Sequence, residues 1–363
     1  MIARIVFVAG LFLLSACTAR GPLAMVPDGT PPGESVVVFQ ASNRAYGSLQ
    51  PPRRGRVPVN DYDRFVIRVP EVRDPGDVAI PDGAPRPDRH FLVADATDLG
   101  DAAGLTRALR RELSLRPAGD REISVFVPGY NMSAAQSLAR TAQLSHDLGI
   151  PGITALYSWP SAASVLGYAY DRDSTLYSRD GYESFLRAVA QSRPERLLLV
   201  AHSMGALLTM ETLRQIEISD PGWTRRNLGG VVLISPDIDL DVFRSQVARI
   251  GDLPQPFVIF VSEKDRVLTL SAQVAGDGAR LGTVTDPAVV ADLDLTLIDI
   301  SRFSSGVGHF DFGRSPALLS IIGQMARVEL SFENDPAARS GLVVGTLLTV
   351  QNATRIVLSP AIQ

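Results

Sequence analysis

The sequence predicts an α/β fold, with a mainly parallel central sheet and helices on both of its faces. Two observations predict it. Short apolar, β-branched runs recur without polar alternation, as strands buried on both faces require. Between most of them lie amphipathic stretches long enough for a helix to cross back over the sheet, which is the pattern of repeated parallel β-α-β units.

The elements follow in order. Residues 36–39 and 65–69 are short and β-branched and read as opening strands. From Pro70 to Arg89 the chain is dense in Pro, Asp and Gly, which means loop. Residues 91–93 read as another short strand, and 102–115 has helical periodicity. Further strands are predicted at 123–127, 153–157, 197–200, 231–234, 257–261 and 295–298, with crossover helices at 134–148, 177–191, 205–216 and 242–250. The tail from Val328 to Gln363 leaves this repeat. Its apolar stretch 341–350 is about half a membrane span and reads as a strand or packing segment added to the domain.

Composition narrows the function classes. Hydrophobic residues make up 45% and charged residues 20%, enough for a large enzyme-like core. A net charge of −4, with no basic stripe interleaved with aromatics, argues against a nucleic-acid partner. The compact basic cluster Arg53-Arg54-Gly55-Arg56, flanked by prolines, reads as a solvated loop. There is no glycine-rich phosphate loop, no His-x-x-x-His pair and no cysteine cluster, so neither cofactor nor metal is expected.

Residues 1–16 read as a cleaved signal: Arg4 precedes the apolar run 5–14, which is too short to span a bilayer comfortably. Leu14-Ser15-Ala16-Cys17 resembles a bacterial lipobox, which implies a lipid on Cys17, the protein's single cysteine. Thr18, where an Asp would retain such a protein at the inner membrane, implies by the same resemblance an outer-membrane anchor facing the periplasm. Residues 17–34, rich in Pro and Gly, read as a flexible tether. The catalytic-type domain is then 35–326, with 327–363 a C-terminal extension packed on it.

The chemistry centres on Ala201-His202-Ser203-Met204-Gly205, set between the apolar run 197–200 and a predicted helix. This is the small-x-Ser-x-small form of a nucleophile elbow: the strained turn pushes Ser203 outward, and small flanking residues let strand and helix meet. A serine hydroxyl needs a neighbouring base to take its proton. On such an elbow the acid and then the histidine follow the serine along the chain. Of His90, His146, His202 and His309, only His309 follows Ser203, in a glycine-containing loop after the last core strand. His202 should point away and be structural.

Two aspartates stand at strand ends where an acid could orient that histidine: Asp237 and Asp265. For Asp237 and Asp239, capping of the helix that begins near Leu240 is the simpler reading. An oxyanion hole needs two main-chain N–H groups. Met204 at the helix start supplies one, and Tyr130 in Pro128-Gly129-Tyr130-Asn131 the other. Residues 159–182 carry Trp159, Tyr168, Tyr170, Tyr177 and Tyr182 with Asp171 and Asp173. This segment either roofs the site and lines an acyl pocket or is the packing face of a helix.

The motifs Val125-Phe126-Val127-Pro128-Gly129-Tyr130-Asn131, Tyr157-Ser158-Trp159-Pro160-Ser161, Ala201-His202-Ser203-Met204-Gly205 and Ser235-Pro236-Asp237-Ile238-Asp239 occur in that order. Together they resemble the bacterial α/β-hydrolases of unknown function described as esterase/lipase superfamily enzymes, over roughly residues 35–326. The resemblance implies an α/β-hydrolase fold and a serine hydrolase cleaving a carboxylic ester or thioester, small-molecule or lipid-derived. It also favours Asp265 over Asp237, because its spacing from the following valine resembles that superfamily's acid turn. Pro128 stands where the family commonly has histidine, so any side-chain role of that histidine is lost. Because a fold does not fix a function, two alternatives stand beside this one: a binding or scaffolding lipoprotein with little or no turnover, and amide cleavage by the same triad.

Overall fold

The computed structural model describes residues 21–276, 278–303, 313, 315, 316, 319 and 347–358. Among them the strands are β1 (Ser35–Arg44), β2 (Arg56–Arg68), β3 (Leu92–Asp98), β4 (Glu122–Val127), β5 (Ile153–Ser158), β6 (Arg196–His202), β7 (Gly230–Ile234), β8 (Phe257–Val261), β9 (Leu295–Asp299), β10 (Leu347–Val350) and β11 (Ala353–Val357). The helices are α1 (Ala102–Ser114), α2 (Ala134–Leu148), α3 (Tyr168–Tyr177), α4 (Arg179–Gln191), α5 (Met204–Ser219), α6 (Trp223–Asn227), α7 (Leu240–Ile250) and α8 (Arg266–Val274).

All of these strands form one sheet in the order β10-β11-β9-β8-β7-β6-β4-β5-β1-β2-β3. Neighbours from β1 through β5, β4, β6, β7, β8 and β9 to β11 are parallel. The pairs β1–β2, β2–β3 and β10–β11 are antiparallel. This is the mainly parallel, helix-covered sheet expected from the apolar runs.

Successive side chains of a strand face opposite ways, and both faces here are covered. On β4, Ile123, Val125 and Val127 enter one core with Leu109 of α1, Phe185 of α4, Leu213 of α5 and Phe243 of α7. Phe126 enters the other core, with Leu138 and Ala142 of α2. No polar alternation is possible under those conditions, which is why the sequence shows none.

Two local expectations change. Within 17–34, the part from Gly21 onward is packed rather than free. Leu23 is buried with Phe91 and Val93, the Val26 N–H donates to the Val93 carbonyl at 2.9 Å, and Arg68 donates to the Pro31 carbonyl at 2.6 Å. Composition alone hid this, because the docking is largely main-chain pairing beside β3. The basic cluster is not wholly solvated either. The Arg56 guanidinium lies 4.1 Å from the centre of the Tyr170 ring and donates to Ser174 Oγ and the Tyr170 carbonyl, both at 2.9 Å. The helix expected at 177–191 is α4, and a further helix, α3, precedes it across Ser178. In the tail, β10 and β11 form a hairpin that extends the sheet beside β9.

Candidate active site

In a parallel sheet of this kind polar loops gather at the carboxyl ends of the strands. Ser203 occupies the turn between β6 and α5 with φ 53° and ψ −120°. A non-glycine residue held there is strained, and such strain persists only when the surroundings fix it. They do so here: the Ser203 N–H donates to the Ile234 carbonyl at 2.9 Å, and the Ser203 carbonyl accepts from Ala206 and Asp237 N–H at 3.0 and 3.3 Å. The turn is therefore locked to the end of β7.

Glycine is required on both sides of this junction. A methyl on Gly205 would stand 2.4 Å from the Pro128 carbonyl oxygen and 2.6 Å from that of Val127. A methyl on Gly129 would stand 2.4 Å from His202 Nδ1 and 3.0 Å from Ser203 Cβ. The loop after β4 thus lies directly against the serine. His202 is buried beneath that loop and packs against it. Met204 is the first residue of α5, so its N–H has no carbonyl within the helix and sits at the positive end of the helix dipole.

The loop after β4 is held by side chains from elsewhere. Trp159 Nε1–H donates to the Pro128 carbonyl at 2.7 Å. The Asn131 N–H donates to Asp171 Oδ2 at 3.0 Å, and the Met132 N–H to Ser161 Oγ at 3.2 Å. Arg44 donates to the Met132 carbonyl at 3.0 Å. Ser133 then caps α2, with Gln136 returning a bond to the Ser133 N–H at 3.0 Å. Asn131 itself has φ 61°.

The aromatics of the insertion 159–182 fall into two settings. Trp159 and Tyr182 are fully buried in the core. Tyr168 packs edge-on to Tyr130, ring centres 5.8 Å apart, and the Tyr130 hydroxyl donates to the Val165 carbonyl. Residues 165–168 therefore lie over the loop after β4.

The two candidate acids are in different states. Asp237 is buried in a polar network: Oδ1 accepts from Ser271 Oγ at 2.6 Å and faces Arg280 Nε at 3.4 Å, while Oδ2 accepts from Tyr168 at 3.0 Å. Burial, with Asp237 close by, pushes the Tyr168 hydroxyl above its ordinary pKa. Capping of α7 falls to Asp239 alone, which accepts from the Asp241 N–H at 3.0 Å, so the capping expectation for Asp237 is corrected. Asp265 is wholly buried at the end of β8, where Oδ1 accepts from the Val267 and Leu268 N–H groups at 3.1 and 3.0 Å.

The structure brings Ser203, Met204, the Gly129–Tyr130 turn and Asp237 together and sets Asp265 on the same edge. His309 and Cys17 lie outside the described residues. Just after β9, Ser301 Oγ accepts the Glu263 N–H at 3.1 Å, two residues before Asp265. Sequence reasoning did not single out Arg44. The only trace of it was a cation at the end of an apolar strand, Asn43-Arg44. Among the described residues, no group of three or more His, Cys, Asp or Glu side chains is placed to hold a metal ion.

A family model described as Alpha/beta hydrolase of unknown function (DUF900) matches residues 103–325. Among solved structures, a predicted CIB-like hydrolase from Thermoplasma acidophilum is 16% identical, covering 60% of this chain and 88% of its own, with a TM-score of 0.33. Esterase B from Lactobacillus rhamnosis is 14% identical, covering 60% and 79%, with a TM-score of 0.37. One of two fungal esterases from Rhizomucor miehei is 11% identical, covering 84% and 87%, with a TM-score of 0.39. No curated protein gives a significant match.

Proposed function

The chain belongs to the α/β hydrolases of unknown function, and from that premise we propose that it cleaves carboxylic esters or thioesters through an acyl-enzyme on Ser203. The observation that carries this reading is the strained Ser203 turn with Gly129 packed against it. A serine fixed at the strand–helix junction, buried beside main-chain donors, has the parts acyl transfer needs.

Ser203 Oγ attacks the carbonyl carbon while His309 takes its proton. The Met204 and Tyr130 N–H groups receive the oxyanion. The tetrahedral adduct collapses, His309 returns the proton to the departing alkoxide or thiolate, and water then repeats the sequence in reverse roles. Asp265 holds the imidazole in the required tautomer and stabilises the imidazolium. Asp265 is favoured over Asp237 because it stands in a turn whose spacing resembles the superfamily's acid turn, and because both oxygens of Asp237 are engaged by Ser271, Arg280 and Tyr168.

The substrate in this reading is a small-molecule or lipid-derived ester. Cys17 carries the lipid that holds the protein at the outer membrane; radiolabelled palmitate should be incorporated by the parent and not by Cys17→Ala, and equal incorporation contradicts the anchor. The test of the activity is steady-state hydrolysis of p-nitrophenyl acetate and butyrate by the full-length protein beside Ser203→Ala and His309→Ala. Turnover that both substitutions abolish is expected. Turnover that survives Ser203→Ala contradicts the proposal.

A further inference from the structure

We propose that Asp171 and Arg44 are positioning residues that set the direction of the oxyanion donor at Tyr130, by holding the loop after β4 from outside. This rests on the ester-hydrolase reading and adds to it the origin of the oxyanion hole's rigidity.

The main chain from Pro128 to Ser133 is held at nearly every peptide. Trp159 holds the Pro128 carbonyl, Asp171 the Asn131 N–H, Ser161 the Met132 N–H, Arg44 the Met132 carbonyl and Gln136 the Ser133 N–H. The Gly129–Tyr130 peptide, which carries the donor, lies between the plane fixed by Trp159 and the plane fixed by Asp171. With both neighbours held, its rotation would have to be absorbed by φ and ψ at Gly129 and Tyr130 alone. Donors pre-set in this way need no reorganisation as charge develops on the substrate oxygen.

Asp171 does more than hold one N–H. Its Oδ2 also accepts from Ser161 Oγ at 2.6 Å, and its Oδ1 accepts from the Ala162 N–H at 2.5 Å. Arg44 donates to Ser158 Oγ at 3.0 Å and to the Ser161 carbonyl at 3.3 Å. Both side chains are buried, at 0% and 1% exposure. The two buried charges thus join three segments: the oxyanion loop, the loop after β5, and α3, on whose first turn Asp171 stands. A buried charge is costly to keep unless hydrogen bonds satisfy it. Hydrophobic packing could close these loops against each other, but it could not fix the orientation of individual peptides.

An amide at 171 presents one acceptor oxygen where the carboxylate presents two. Asp171→Asn must therefore turn an N–H towards either Ala162 or the Asn131 and Ser161 donors. Ser161→Ala is the milder second variant, removing the acceptor for the Met132 N–H while leaving Asp171 on Asn131.

The experiment measures kcat and KM for p-nitrophenyl butyrate, together with the inhibition constant of an aryl trifluoromethyl ketone, whose serine adduct places an oxyanion in the hole. The parent, Asp171→Asn, Ser161→Ala and the remote core truncation Leu109→Ala are compared, with thermal unfolding recorded for each. For Asp171→Asn a fall in kcat of about 10–100-fold is expected, with KM within about threefold and a matching weakening of ketone binding. Ser161→Ala should fall in between, and Leu109→Ala should lose stability without loss of kcat. The inference is overturned if kcat is unchanged in both Asp171→Asn and Ser161→Ala. It is equally overturned if the effect appears only in KM, or if Leu109→Ala reproduces it at equal loss of stability. A parent that hydrolyses no ester overturns the ester-hydrolase reading itself, and this inference with it.

Discussion

Replacing Gly205 with alanine should damage catalysis and stability together, and the structure sets the size of both effects. The added methyl would stand 2.4 Å from the Pro128 carbonyl oxygen, 2.6 Å from the Val127 carbonyl oxygen and 3.0 Å from the Val127 carbonyl carbon. Ordinary contact is near 3.4 Å, so α5 and the end of β4 must separate by about 1 Å. The obstructing atoms are main chain and cannot rotate away. Overpacking of this sort costs about 1–3 kcal/mol, and backbone resistance puts this case at the upper end. The Pro128 carbonyl is also the acceptor for Trp159, and the donor peptide of Tyr130 follows it directly. A displacement of about 1 Å at such a position lowers kcat/KM by about 100-fold, equivalent to about 2.7 kcal/mol of transition-state stabilisation. Urea unfolding measures the first effect and p-nitrophenyl butyrate kinetics the second. A Gly205→Ala protein with parental unfolding midpoint and kcat/KM would refute the claim that this junction is closed by backbone contact.

Two further predictions follow from the carboxylates. Asp265→Asn should lower kcat by about 10⁴-fold, whereas Asp237→Asn should cost about 3–5 kcal/mol of stability by leaving the buried Arg280 without its carboxylate. Reversal of that pattern in paired unfolding and kinetic measurements would make Asp237 the acid. Asp63, on β2, has its carboxyl pushed up to about 6 by burial and by the nearby charges of Asp61 and Asp98. Its folded-state pKa is raised, so the stability it lends is present below about pH 4 and is lost as the pH rises through about 6. After discounting for solvent screening this amounts to about 1 kcal/mol. Asp63→Asn should therefore raise Tm by about 2 °C at pH 8 and leave it unchanged at pH 4; a gain of the same size at both would contradict the linkage.

The sheet and the serine turn were legible for physical reasons. Strands such as β4 and β6 are covered on both faces, so their apolar runs are continuous, and the meeting of β6 with α5 requires small residues beside Ser203, which the sequence displays. Arg44 was not legible, because its importance depends on β1 lying next to β5, and its partner Ser158 is 114 residues away in the chain. Asp171 could be seen as part of an aromatic-rich insertion, but only the fold places that insertion against Asn131. The short helix α8 was missed because it begins directly at Asp265, which caps it. The packing of Leu23 and Val26 beside β3 was hidden for another reason: one apolar side chain and main-chain pairing hold it, within a Pro- and Gly-rich stretch whose composition masks both.

The measurement that tests the central claim most directly is reaction of the full-length folded protein with a fluorophosphonate, followed by peptide mapping of the adduct. The account predicts a single stoichiometric adduct on Ser203, absent from Ser203→Ala and strongly slowed in His309→Ala. A folded protein that gives no adduct, or one that is modified at another serine, would contradict it.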